Sequence, residues 1–142
     1  MASSTYRKSM VLVANGEIDF TDDNFKVMLV VDYSFSQSHD FIDDVSGSEV
    51  SGVGYDAGGK AVDLSVTEDT DNDCAKITSD AITWTTATIT ADGAVLYQVL
   101  GGDPDADPVI AYYDFGGDKS SSGADFVLTP DADGWLSLGK SA

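Results

Sequence analysis

Asp69-Thr70-Asp71-Asn72-Asp73 sets oxygen ligands at alternate positions, and Asp80 stands twelfth counted from Asp69. That is the ligand rhythm of a calcium loop of the EF-hand kind. The sixth position is Cys74, where such a loop needs glycine for its sharp turn, and no helical pattern flanks the segment. We therefore expect a solvated acidic connection between strands, with calcium as the alternative. Asp103, Asp105 and Asp107, interrupted by Pro104 and Pro108, raise the same question and read as an extended, hydrated turn. His39 is the single histidine, with Ser38 and Asp40 beside it. Catalytic triads are defined in space, and adjacent residues on a strand point to opposite faces, so we expect an exposed loop histidine. Paired carboxylates of the glycosidase type carry little information among 25 acids, because some pair will reach a suitable separation by chance. Tyr97, Tyr112, Tyr113, Trp84 and Trp135 could form a sugar-stacking platform, but alternating aromatics on strands more often fill a core or a subunit contact. No positioned catalytic set emerges. The expectation is a protein that is not an enzyme, with no cofactor and no metal.

The elements that hold these residues read as mostly strands. Phe25, Val27, Leu29 and Val31 alternate on one face while Met28 and Val30 add bulk to the other, as in a central strand covered on both sides. Val62, Leu64 and Val66 alternate with Asp63, Ser65 and Thr67, which predicts one strand with a wet face. Ile82 and Trp84 continue the pattern. Asp92-Gly93 predicts a type I′ hairpin pairing Ile89 with Leu96 and Thr88 with Tyr97. Segments 109–115, 126–129 and 135–138 supply further strands, the last after a turn at Pro130, Asp131, Asp133 and Gly134. At the N-terminus, Ser3, Ser4 or Thr5 could cap a short helix with Tyr6, Met10 and Val13 on one face and Gly16 as its stop. The β-branched residues there leave a strand as the alternative. About eight short strands with frequent turns predict an all-β, antiparallel β-sandwich or jelly roll in one domain over 1–142, with 1–18 an arm or short helix.

Composition narrows the partners. Seven Lys and Arg face 25 Asp and Glu, a net charge of −18, while 42% hydrophobic residues suffice for a core. The scattered cations argue against nucleic acid and anionic membrane as partners. One cysteine, Cys74, excludes an internal disulfide. The apolar stretch 10–14 is too short for a signal-peptide core, so synthesis and assembly in the cytoplasm are expected.

Two glycine-punctuated runs stand out: Gly47-Ser48-Glu49-Val50-Ser51-Gly52-Val53-Gly54-Tyr55-Asp56-Ala57-Gly58-Gly59, and Tyr112-Tyr113-Asp114-Phe115-Gly116-Gly117-Asp118-Lys119-Ser120-Ser121. Neither has a nucleophile beside a base or phosphate-loop spacing, so both read as rigid shaped loops suited to binding. Taken from Asp44-Val45-Ser46 in the first case and from Tyr113 in the second, and together with Ala94-Val95-Leu96-Tyr97 and the opening Gly16-Glu17-Ile18-Asp19-Phe20 followed by Phe25-Lys26-Val27, they resemble the signature of a family of small virion structural proteins of tailed bacteriophages. The resemblance spans about Tyr6 to Gly134. Members are head decoration (cement), head-fibre or tail proteins, so the resemblance implies a virion structural protein; among these roles we expect a non-enzymatic decoration protein on the capsid exterior. Its partner would be the lattice of the major capsid protein, with trimers as a form of self-association. Gly52, Gly54, Tyr55, Gly58, Gly59, Phe115, Gly116 and Gly117 are then the expected contact residues, since glycine lets another backbone come close. A tail or fibre component and a carbohydrate-binding module are the alternatives.

Overall fold

The computed structural model describes residues 2–21, 24–101, 103, 105–131 and 134–139. Among these the chain is all-β, with half of its residues in strands and one short α-helix. In chain order the elements are β1 (Ala2–Thr5), α1 (Arg7–Ala14), β2 (Phe25–Val30), β3 (Lys60–Val62), β4 (Leu64–Asp69) and β5 (Cys74–Ser79). They are followed by β6 (Ile82–Ala87), β7 (Thr90–Gln98), β8 (Val109–Ser120), β9 (Ala124–Leu128) and β10 (Leu136–Gly139). A five-stranded sheet runs β1-β8-β7-β2-β3, a three-stranded sheet β10-β5-β4 and a two-stranded sheet β6-β9, with all pairings antiparallel.

The two-sided apolar pattern of β2 has the expected consequence. It lies inside the large sheet between β7 and β3. Phe25, Val27 and Leu29 join one core with Ile77, Trp84, Phe126 and Trp135 of the smaller sheets and their flanks. Met28 and Val30 face the other way, into a second core with Val95, Tyr97 and Tyr112, which the segment with Ile42 and Val45 covers. Adjacent residues in β8 divide in the same manner, Tyr112 to the second core and Tyr113 to the first.

β6 and β7 on one side and β9 and β8 on the other form one long, bent ribbon. Ala87 pairs with Ala124, and three residues on Thr90 pairs with Ser120. At the bend Thr86 (φ 49°) and Gly123 (φ 62°) take left-handed backbone, and the Ser121 amide donates to the Ile89 carbonyl at 2.9 Å. Strands that change sheets at such corners are how layered β proteins close their cores.

Several expectations need correction. Asp92-Gly93 is no hairpin turn. Both residues sit inside β7, where Gly93 pairs with Val30 and Asp114, Leu96 with Val27 and Ala111, and Tyr97 with Lys26 and Val109. Gly93 is there for space: a Cβ would stand 2.7 Å from Cε1 of Tyr112. Burial between two long-range partners outweighs the local turn preference. The 62–67 alternation is not one strand either; it breaks at Asp63, β3 pairing with β2 and β4 with β5, and Val66 is exposed. A period of two survives a change of sheet, so the pattern cannot reveal the break. Ser3, Ser4 and Thr5 belong to β1, paired with Tyr113, Tyr112 and Ala111, and Tyr6 takes the helix N-cap position without a side-chain cap. Met10 points outward; Ser9 is the buried helix residue, its hydroxyl donating to the Tyr6 and Ile110 carbonyls at 2.8 and 3.0 Å. Gly16, at φ 76°, ends the helix as expected. Asp133 and Pro104 lie outside the described residues. No helix among those described is long and apolar enough to cross a membrane.

Candidate functional site

The first glycine run is fastened to the sheets almost residue by residue. The Val50 amide donates to the Leu29 carbonyl and the Thr88 amide to the Val53 carbonyl, at 3.0 and 2.9 Å. One carboxylate oxygen of Glu49 accepts both the Tyr55 hydroxyl and the Gly58 amide at 2.7 Å. The Tyr55 oxygen in turn accepts the Leu29 amide at 3.1 Å, and the Tyr97 hydroxyl donates to the Gly58 carbonyl at 2.6 Å. Burial first, then the Glu49 carboxylate, pushes the Tyr55 hydroxyl far above the usual phenol range.

The glycines explain the fastening. A Cβ on Gly59 would lie 1.8 Å from the Val27 carbonyl oxygen, one on Gly52 2.4 Å from that of Thr88, and one on Gly54 2.8 Å from Cα of Ala87. The close backbone approach expected of Gly52, Gly54 and Gly59 is thus made to this chain's own strands. Tyr55 is buried against Trp84, with ring centroids 6.1 Å apart. The loop turns outward a crest at Gly52-Val53-Gly54, where Val53 is 71% exposed.

The second run behaves differently. Phe115 is buried in the main core, while Gly116 (φ 81°) and Gly117 meet no neighbouring atom where a Cβ would stand. They lie in a bulge, since β8 spends the residues between Asp114 and Lys119 opposite Asp92 alone. Beyond them the outer edge of the bent ribbon carries a groove of about 360 Å³ lined by Phe115, Lys119, Asp125, Phe126 and Leu128.

The candidate chemistry of the sequence is dispersed. Asp69 and Cys74 face each other across the β4–β5 hairpin, and Asp80 lies past the opposite end of β5. The Asp69 carboxylate accepts the Asp71 and Asn72 amides at 3.1 and 3.2 Å and pairs with Lys76 at 2.9 Å. Lys76, then Asn72, holds that carboxyl well below the usual range. Asp103 bonds to Asp105 and pushes its carboxyl up. Asp107 is not a hydrated turn residue: it is buried, and its Oδ1 accepts the Leu100 amide at 2.8 Å.

His39 is half-buried rather than a bare loop residue. Its Nδ1 lies 2.6 Å from the Tyr33 hydroxyl, which lies 2.7 Å from that of Tyr6. Ser38 bonds to Ser36, and the Asp40 amide donates to Asp44, so the Ser38-His39-Asp40 neighbours form no triad. The aromatics proposed for sugar stacking are all buried: Trp84, Tyr97, Tyr112, Tyr113 and Trp135. Glu49, Val53 and Lys26, which shape the outward side of the glycine loop, gave no signal of their own in the sequence. No protein-family model, curated protein or solved structure matches the chain.

Proposed function

We propose that this chain is a non-enzymatic structural protein of a tailed-phage virion, a capsid decoration protein that docks on the exterior of the assembled head and stabilises it. One observation carries the reading furthest: the 47–59 loop is a preformed shape. Gly52, Gly54 and Gly59 pack against β2 and the β6–β7 bend, and Glu49, Tyr55 and Tyr97 lock the loop's conformation. A loop fixed before binding loses little entropy on docking, so more of the contact energy remains as affinity. The exposed Val53 crest offers an apolar contact with no charged side chain on its own three residues. The resemblance of both glycine runs to the phage virion proteins supports the same reading. Binding only the assembled lattice stabilises it by mass action, so an occupied shell would better resist heat and internal pressure. Closed cyclic self-association, such as a trimer at a lattice symmetry point, suits the same role.

The test is quantitative mass spectrometry of purified particles against the major capsid protein. Hundreds of copies per particle are expected. A handful would move the protein to the tail or a fibre, and its absence from intact particles would end the reading.

A further inference from the structure

Between the 42–49 segment, the tip of the glycine loop and the second-core face of β2 and β7 lies a cavity of about 340 Å³. Met28, Ile42 and Val99 give it apolar walls, and Glu49, Asp107 and Lys26 its charged groups. Asp107 is 4% exposed and is held by the backbone: Oδ1 takes the Leu100 amide, and its carbonyl takes the Ile42 amide at 2.8 Å. Glu49 is likewise fixed, by Tyr55 and Gly58. Lys26 shares the wall yet closes no ion pair with either carboxylate. Both carboxylates also act on Tyr97, which shares the wall. Burial first, then the Glu49 and Asp107 carboxylates, pushes its hydroxyl up to about 12. The burial part of that shift opposes charge of either sign; the carboxylate part is what favours a cation.

We propose that this cavity receives an arginine side chain presented by a docking partner. Asp107 is buried and Glu49 half-buried; carboxylates so placed are stable only when paired or well hydrogen-bonded, and both are held by neutral donors rather than by a cation of this chain. Guanidinium fits better than ammonium. It is more weakly hydrated and offers a planar fork of donors to the cavity's carboxylates, while its long apolar stem suits the walls at Met28 and Ile42. The volume is at the low end of ligand sites, about 300–1,000 Å³, and suits one long side chain. With 7 cations against 25 acids, the charge is most readily supplied from outside. Ala57 and Gly58 line the cavity, so it adjoins the surface assigned to docking above. The inference rests on that reading for the identity of the partner and not for the chemistry of the pocket.

The probe is N-acetyl-arginine methylamide, titrated into the intact protein and followed by amide chemical shifts. Saturable shifts confined to Lys26, Ala57, Gly58 and their neighbours are expected, with none from the neutral citrulline analogue. Asp107→Asn keeps the bond to Leu100 but removes the charge, and should weaken binding on the order of tenfold or more. Lys26→Gln should tighten it by about two- to fivefold. Equal binding of citrulline, shifts that spread over the acidic surface without saturating, or an unchanged affinity in Asp107→Asn would overturn the proposal. Should Asp107→Asn fail to fold, the citrulline comparison on the natural protein decides alone. A negative titration leaves the particle stoichiometry untouched, and absence from particles leaves the titration untouched, so the two failures are distinct.

Discussion

Four glycine-to-alanine substitutions separate what backbone conformation and close packing each contribute. Gly59 combines both: φ is 86°, and a Cβ would meet the Val27 carbonyl oxygen at 1.8 Å and Cα of Met28 at 2.9 Å. Left-handed backbone costs a residue with a Cβ about 1–2 kcal/mol. Overpacking adds about 1–3 kcal/mol, toward the upper end here because the opposing atoms are backbone of the interior strand β2 and cannot rotate away. Gly59→Ala should therefore cost about 2–5 kcal/mol, a drop in Tm of roughly 5–20 °C for a domain of this size. Gly116, at φ 81° with open space around it, carries only the conformational cost of about 1–2 kcal/mol. Gly93 has ordinary φ but a Cβ 2.7 Å from the Tyr112 ring, which Phe35 stacks at 5.8 Å, so about 1–3 kcal/mol of steric cost is expected. Gly47 has neither, and Ala there should be neutral or stabilising by up to about 1 kcal/mol. Urea unfolding of the four variants gives the order directly. If Gly59→Ala costs no more than Gly116→Ala, the 47–59 loop is not held by its own glycine contacts, and the argument for a preformed docking shape collapses.

Other outcomes follow from the polar contacts. Tyr33→Phe removes the hydroxyl that joins Tyr6 to His39 and leaves the fully buried Tyr6 hydroxyl unpaired, at about 1–3 kcal/mol; in a double-mutant cycle, adding Tyr6→Phe should recover part of it. The Asp69 carboxyl has a depressed folded pKa, so its contribution is present above the unfolded value of about 3.9 and is lost as pH falls through the folded one; the stability gap between the natural protein and Asp69→Asn, measured by urea unfolding, should close below about pH 4. Tyr97 and Tyr112 are raised to about 12, so their contribution is complete below about pH 10 and is lost as pH climbs through 12; phenolate absorbance should then rise together with unfolding, not ahead of it. Val53→Asp should leave Tm within about 1 °C, because the side chain is exposed, while weakening binding to emptied particles in a pull-down; retained binding would remove the crest from the docking surface.

What the sequence makes legible is what period and residue type control. Alternation in 25–31 specified a strand buried on both faces, and the neighbouring Tyr112 and Tyr113 had to part company on any strand. What it hides is partner choice. Asp92-Gly93 has the composition of a tight turn, but that composition equally suits a bulged strand passing under a tyrosine ring, and only the competition from β2 and β8 decides. The same ambiguity governs the glycine runs. Gly59 and Gly116 both take left-handed backbone, yet one is walled in by β2 and the other faces open space. A glycine states that room is needed and does not say whose atoms occupy it. Glu49 is silent in sequence for a related reason: one acid among 25 becomes a clamp only because the chain brings Tyr55 and Gly58 back to it.

The separation of apolar crest from charged cavity has a consequence for docking as a whole. A protein of net charge −18 repels any acidic surface, and that repulsion is screened over about 10 Å at 0.1 M salt. Contacts through Val53 alone would bury apolar area whose value is nearly independent of salt, so affinity for an acidic shell should hold or rise as salt relieves the repulsion. An arginine drawn to the cavity of Glu49 and Asp107 would work in the opposite direction on approach, because electrostatic steering of a cation is lost as salt rises, while the buried Asp107 is screened far less. Association that slows with salt while dissociation stays constant is therefore the signature of the cavity. Association that quickens with salt is the signature of the crest acting alone, and a measurement of both rates on intact particles separates them.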